Sequence, residues 1–197
     1  MSKYHKKSVV CLCCKKEYPV QIWESVNAQL NPEMKKKLLD GRLYETVCPH
    51  CGGTVHCVYD FFYHDMDLKY MIAVQREDAE SMDLFPFPDE YKLRLVRDID
   101  ELAEKVRIFD QGLNDIAIET TKVIVKEISH IKSKLLFLAE DNAQLQFIMV
   151  ENEKVMMVPD EIYTSAFKCC TEEELEGPKT FARIDESYIR KQIGLTA

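Results

Sequence analysis

Two cysteine pairs, Cys11-Leu-Cys-Cys14 and Cys48-Pro-His-Cys51, constrain this chain more than any other feature, and 33 residues separate them. A two-residue spacer lets both thiolates of a pair reach one ion while the backbone between them turns its N–H groups toward the sulfurs. Two such knuckles complete a tetrahedron, so one structural Zn²⁺ held by Cys11, Cys14, Cys48 and Cys51 is the expected cofactor. A hydrolytic zinc keeps one position open for water. Four thiolates leave none, so no catalytic residue is expected at the metal.

The second knuckle is the better formed by its residues. Pro49 restricts φ inside the turn, and Gly52 after the last ligand can take the left-handed conformation that brings an amide to the sulfur. The first knuckle has neither, so Lys15 must take that conformation itself, and Cys13 is a competing thiol. Four thiolates around Zn²⁺ carry a net charge of about −2. Lys6, Lys7, Lys15 and Lys16 flank the first pair, close enough in sequence to offset it and to lower the thiol pKa values.

Eight cysteines in 197 residues fall below the density of a disulfide scaffold. The longest apolar runs reach six residues, against roughly 18 needed to span a bilayer, so no membrane segment is expected. The N-terminal MSKYHKKSVVCLCCKK lacks the apolar stretch and cleavage site of an export signal, and a cytoplasmic, reducing location is expected. The chain carries 26 Lys and Arg against 34 Asp and Glu, a formal charge of −8, which disfavours coating of nucleic acid by phosphate neutralisation. Residues 1–60 nevertheless hold nine of those basic residues and only six of the acidic ones. The cysteine-rich end is the basic end.

Alternating Tyr18–Val26 reads as a strand. Asn31–Gly41 reads as a short helix with Pro at its first position and a terminating Gly. Arg42–Val47, Val55–Phe62 and Lys69–Val74 read as further strands of a three- or four-stranded antiparallel sheet. The acidic, proline-bearing residues 75–90 read as a loop or crossover. From Asp98, which with Glu101 makes a capping box, Leu102, Val106 and Phe109 form a helical stripe ending at Gly112. A second stripe runs Ile116, Val123, Ile124, Ile128 and Ile131 from a cap at Asn114 or Asp115, giving a helical hairpin. The β-branched run Val123–Val125 weakens that second helix. Residues 134–163, split by turn chemistry at Glu140–Ala143 and Glu151–Glu153, read as a β-meander. Glu172–Glu176 reads as a solvated turn, Cys169 and Cys170 as thiols near a strand end, and Glu186–Ile193 as a short helix.

Tyr63-His64-Asp65-Met66 sets an imidazole beside a carboxylate, a candidate ligand-binding pair. Adjacent strand residues point to opposite faces, however, and in a turn Asp65 would cap the following segment. Trp23, Phe61, Phe62, Tyr70 and Phe109 are expected to form a core between sheet and helical hairpin rather than a stacking platform for single strands. His50 and His56 are expected at the surface, and His130 at the surface or at the hairpin end. Cys57 has no role assigned by spacing.

The two knuckles, Trp23-Glu-Ser-Val-Asn27, Asn31-Pro-Glu-Met34, Lys37-Leu-Leu-Asp-Gly41 and Tyr63-His-Asp-Met66, in this order over roughly residues 8–130, resemble the bacterial CpXC domain family, named for paired Cys-Pro-x-Cys motifs. The resemblance implies metal-binding cysteines at Cys11, Cys14, Cys48 and Cys51 and supplies no activity or substrate. The sequence departs from the family motif at Leu12, where the family has Pro. Cys14 keeps the two-residue spacer from Cys11 and is retained over Cys13.

The fold class expected is α+β: a rubredoxin-like zinc ribbon with an antiparallel sheet and a helical insertion, then a helical hairpin and a C-terminal β-meander. A CpXC-like domain would span 1–130, with ribbon core about 8–75 and hairpin about 98–131, and the meander and short helix 131–197. The function expected is a zinc-stabilised binding or assembly module for a protein partner. Two alternatives are an enzyme using a groove beside His64 and Asp65, and a nucleic-acid-binding ribbon with a basic N-terminal face.

Overall fold

The computed structural model describes residues 2–76, 81–82 and 87–194. Its first unit is an antiparallel hairpin of β1 (Lys3–Val10) and β2 (Glu17–Asn27), with the first cysteine pair in the loop between them. In β2 the alternation expected of a half-buried strand is plain, with Tyr18, Val20 and Ile22 inside and Glu17, Pro19 and Gln21 outside. Strand β1 has no such pattern. It is exposed along almost its whole length and held by its ladder to β2, an edge strand whose lysines discourage pairing with another chain.

Helix α1 (Pro32–Leu39) begins at the proline and buries Met34 and Leu38. The strand expected from Arg42 is shorter: β3 (Glu45–Val47) pairs only with β4 (Thr54–His56), and this separate hairpin carries the second cysteine pair. Strands β5 (Phe61–Asp65) and β6 (Tyr70–Val74) follow. The expected three- or four-stranded antiparallel sheet is corrected to a seven-stranded mixed sheet, ordered β1-β2-β5-β6-β8-β12-β7. Its β2 and β5 run parallel because α1 and the β3–β4 hairpin return the chain to the starting edge.

Of the expected loop or crossover at 75–90, residues 77–80 and 83–86 lie outside the described residues, and β7 (Ser81–Met82) lies between them. Beyond it, β8 (Lys92–Val96) pairs parallel with β6. Strand β8 was hidden by its charges: Leu93, Leu95 and Val96 are buried, and so is Arg94 between them.

The helical hairpin forms as expected. Helix α2 (Ile99–Asp110) is capped by the Asp98 carboxylate accepting from the Glu101 amide at 2.8 Å. Glu101 reaches back one residue beyond the expected box, accepting from the Arg97 amide at 2.7 Å. Helix α3 (Asp115–Ser129) is capped by Asn114, and its Val123–Val125 run stays helical because Val123 and Val125 are buried by tertiary packing. The left-handed His130 ends it.

The meander is β9 (Leu135–Asp141), β10 (Gln144–Met149) and β11 (Lys154–Pro159), antiparallel throughout. After it come two corrections. Cys169 and Cys170 lie at the end of a helix, α4 (Asp160–Cys169), not of a strand. The acidic cluster is a one-turn helix, α5 (Glu172–Glu176), because Thr171 and Glu174 make a reciprocal capping box. Strand β12 (Phe181–Ala182) then enters the main sheet between β8 and β7, and the expected short helix follows as α6 (Glu186–Gln192).

One core joins these parts: Trp23, Phe61, Tyr63 and Tyr70 of the sheet, Val106 and Phe109 of α2, and Phe137 and Phe147 of the meander all belong to it. Phe62 faces the other side, against Phe181. Tyr18, Val20 and Ile22 instead form a small satellite core with Cys11 and Cys48.

Candidate metal centre

The two hairpin loops bring four sulfurs together. Cys11 Sγ lies 3.6 Å from Cys51 Sγ, Cys14 Sγ lies 3.7 Å from Cys48 Sγ, and all four are within 4.8 Å of one another. They could hold a metal ion. Cys13 is exposed and outside the group.

The loops repeat one backbone design. In the first, the Cys11 amide donates to the Lys16 carbonyl at 3.0 Å and the Lys15 amide to the Cys11 carbonyl at 2.9 Å. In the second, the Cys48 amide donates to the Gly53 carbonyl and the Gly52 amide to the Cys48 carbonyl, both at 2.9 Å. Lys15 and Gly52 occupy equivalent left-handed positions, φ 62° and 72°. The sequence places Gly where the geometry wants it in one knuckle only, and Lys15 carries the strain in the other.

The electrostatics come from the backbone more than from neighbouring charge. The Cys14 amide, working against burial and helped by the Cys13 amide and the Cys51 and Cys48 thiols, holds the Cys11 thiol down to about 6. At Cys51 the Gly53 amide favours the thiolate, but the proton shared with Cys11, together with burial, pushes it up to about 12. Lys6, Lys7, Lys15 and Lys16, expected to supply this stabilisation, are all exposed at the surface. Oriented N–H groups at hydrogen-bond range act more strongly on a sulfur than solvated ammonium groups do.

His64 and Asp65 do not converge. The His64 ring is 3.1 Å from the Tyr91 hydroxyl, while the Asp65 carboxylate is buried and accepts from the Asp67 and Leu68 amides and from Gln29 Nε2. Asp65 caps the β5–β6 turn. His50 and His56 are exposed, as expected.

A second constellation gave no motif to read. Arg94, fully buried, makes a bidentate pair with Asp115 at 2.7 and 2.9 Å, and Lys105, Glu119, Lys122 and Glu104 continue the chain of charges beneath α2 and α3. The only signal in the sequence is Arg94 between the apolar residues Leu93 and Leu95. Among the described residues, no helix is long and apolar enough to cross a membrane.

These features define a mixed α+β protein with a four-cysteine site suited to a metal ion. The model of the family described as CpXC protein matches residues 9–122, and the chain belongs to that family. Neither the curated proteins nor the solved structures contain a match.

Proposed function

We propose that the four cysteines bind one structural Zn²⁺ and that the chain is a binding or assembly module for a protein partner, built on a rubredoxin-like zinc ribbon. The observation that carries this reading is the closed tetrad on two equivalent knuckles. An ion with Zn–S bonds of about 2.3 Å at the centre of a tetrahedron has sulfur–sulfur edges of about 3.8 Å. The distances of 3.6 and 3.7 Å support that fit. All-thiolate ligation favours zinc over the harder divalent ions and leaves no position for water. The metal's contribution is to fix the two loops against each other, replacing the core that this end of the molecule is too small to build. Thiolate ligands have to stay reduced, which supports a cytoplasmic location.

The test is metal analysis of the purified chain, with one zinc per chain expected. Cys48→Ser should lower zinc content to well under half, and Cys13→Ser should leave it unchanged. Full zinc occupancy in Cys48→Ser, or a wild-type chain that takes up no zinc when refolded with it, refutes the assignment.

A further inference from the structure

Strand β1 ends the main sheet, and among the described residues no strand pairs with its outer edge. All but one of its eight residues are exposed. In an antiparallel pair the N–H and C=O groups of alternate residues point away from the partner, so an uncovered edge is a template for one more strand.

Charge decides which strand fits. The β1–β2 hairpin carries two carboxylates, Glu17 and Glu24, and both are engaged. Glu24 pairs with Lys3 and lies 3.1 Å from His5, and Glu17 accepts from the Ser8 hydroxyl at 3.2 Å. Lys6, Lys7, Lys15 and Lys16 are exposed and make no ion pair among the described residues. Consecutive strand residues point to opposite faces, so Lys6 and Lys7 set one cation on each side of the edge. Lys6 shares its face with Tyr4 and Val10, which are 53% and 49% exposed and offer apolar contact on either side of it. Lys15 and Lys16 extend the positive charge past the Val10 end. The net charge of −8 does not cancel this patch, because distant carboxylates are screened beyond about 8 Å at physiological ionic strength.

We propose that β1 is the docking edge for an acidic, extended segment of a protein partner, which adds to the sheet as an eighth strand with adjacent carboxylates opposite Lys6 and Lys7. The ladder supplies affinity, and the two cations supply selection, since opposite charges across a strand pair attract and like charges repel. The same lysines repel a second copy of β1. This inference rests on the reading of the chain as a binding module and deepens it by naming the chemistry of the partner.

Fluorescence anisotropy of the full chain with a labelled octapeptide, Thr-Val-Thr-Glu-Glu-Thr-Val-Thr, decides it. The peptide should bind saturably below millimolar concentration. Replacing its two inner threonines by proline keeps the charge but removes ladder donors, and should weaken binding about tenfold or more. Lys6→Glu with Lys7→Glu, both at exposed positions, should leave folding intact and also cost about tenfold or more. That variant should instead take the peptide with Lys-Lys at its centre, which the wild type refuses. The proposal is overturned if the folded wild type ignores the acidic peptide at millimolar concentration, if the proline peptide binds as tightly, or if the double reversal leaves affinity unchanged. It is overturned equally if an oligothymidylate of the same length binds more tightly than the peptide and displaces it, which would make the edge a nucleic-acid surface. Zinc is measured in the same samples. A chain holding one zinc and ignoring the peptide overturns the docking and leaves the metal assignment standing, while peptide binding by a chain without zinc upholds the docking and overturns the metal assignment.

Discussion

Lys15 and Gly52 do the same job with different side chains. Both take the left-handed conformation that closes a knuckle, and only glycine does so without a steric cost of roughly 1–2 kcal/mol. Part of that cost is offset by the backbone entropy a glycine loses on folding. Lys15→Gly should therefore raise stability by up to about 1 kcal/mol, and Gly52→Ala should lower it by a similar amount, both read from urea midpoints of the metal-loaded chain. Arg94 and Asp115 are the other decisive pair. Burial alone would raise the Asp115 carboxyl, but the Arg94 and Lys105 charges overcome it and hold the group well below the usual carboxylate range. A depressed folded-state value means stabilisation that is complete above about pH 4, where the unfolded carboxyl ionises, and that is lost as pH falls toward the folded value. Denaturation at pH 7 and pH 3 checks the sign. Arg94→Met should cost about 3 kcal/mol at pH 7 by removing the bidentate partner of a buried carboxylate and leaving it to Lys105, and the double change Arg94→Met with Asp115→Leu should cost much less.

Among the elements, the meander shows how local chemistry and tertiary demand can disagree. The β9–β10 turn has two central residues, Asn142 and Ala143, both at positive φ (51° and 59°), with Asp141 paired to Gln144. That is the mirror-image turn that matches strand twist and prefers Asn-Gly. Ala143→Gly should stabilise the chain by about 0.5–1 kcal/mol in thermal or urea unfolding, and a loss of stability would show that Ala143 makes contacts that offset its strain. Helix α3 is the converse case: its β-branched run is unfavourable locally and is kept helical by the apolar face it buries.

At the level of the whole molecule, Cys11 and Cys48 of the tetrad belong to a satellite core with Tyr18, Val20 and Ile22, and Cys14 packs against it; the main core is shared by sheet, α2 and meander. Regions with few buried contacts open independently of the rest. Chelation should consequently release hydrogen-exchange protection in the first half of β2 and in β3–β4, while β6, β8, α2 and α3 stay protected. Loss of protection throughout the chain would mean that the sheet itself depends on the ion.

Spacing and turn chemistry made the tetrad legible before any coordinates, since C-x-x-C pairs, Pro49 and Gly52 act over a few residues. The caps of α2 and α3 and the strands of the meander could be read for the same reason. Strand β8, the parallel pairings and the charges around Arg94 could not be read, because each depends on which distant segment lies alongside. An arginine at the centre of a strand reads as surface until Asp115 arrives from 21 residues away to neutralise it. The sequence by itself determined local geometry and ligand chemistry. Strand order and the buried charges were decided only by tertiary structure, because desolvation and pairing of charge are properties of neighbours brought together in space.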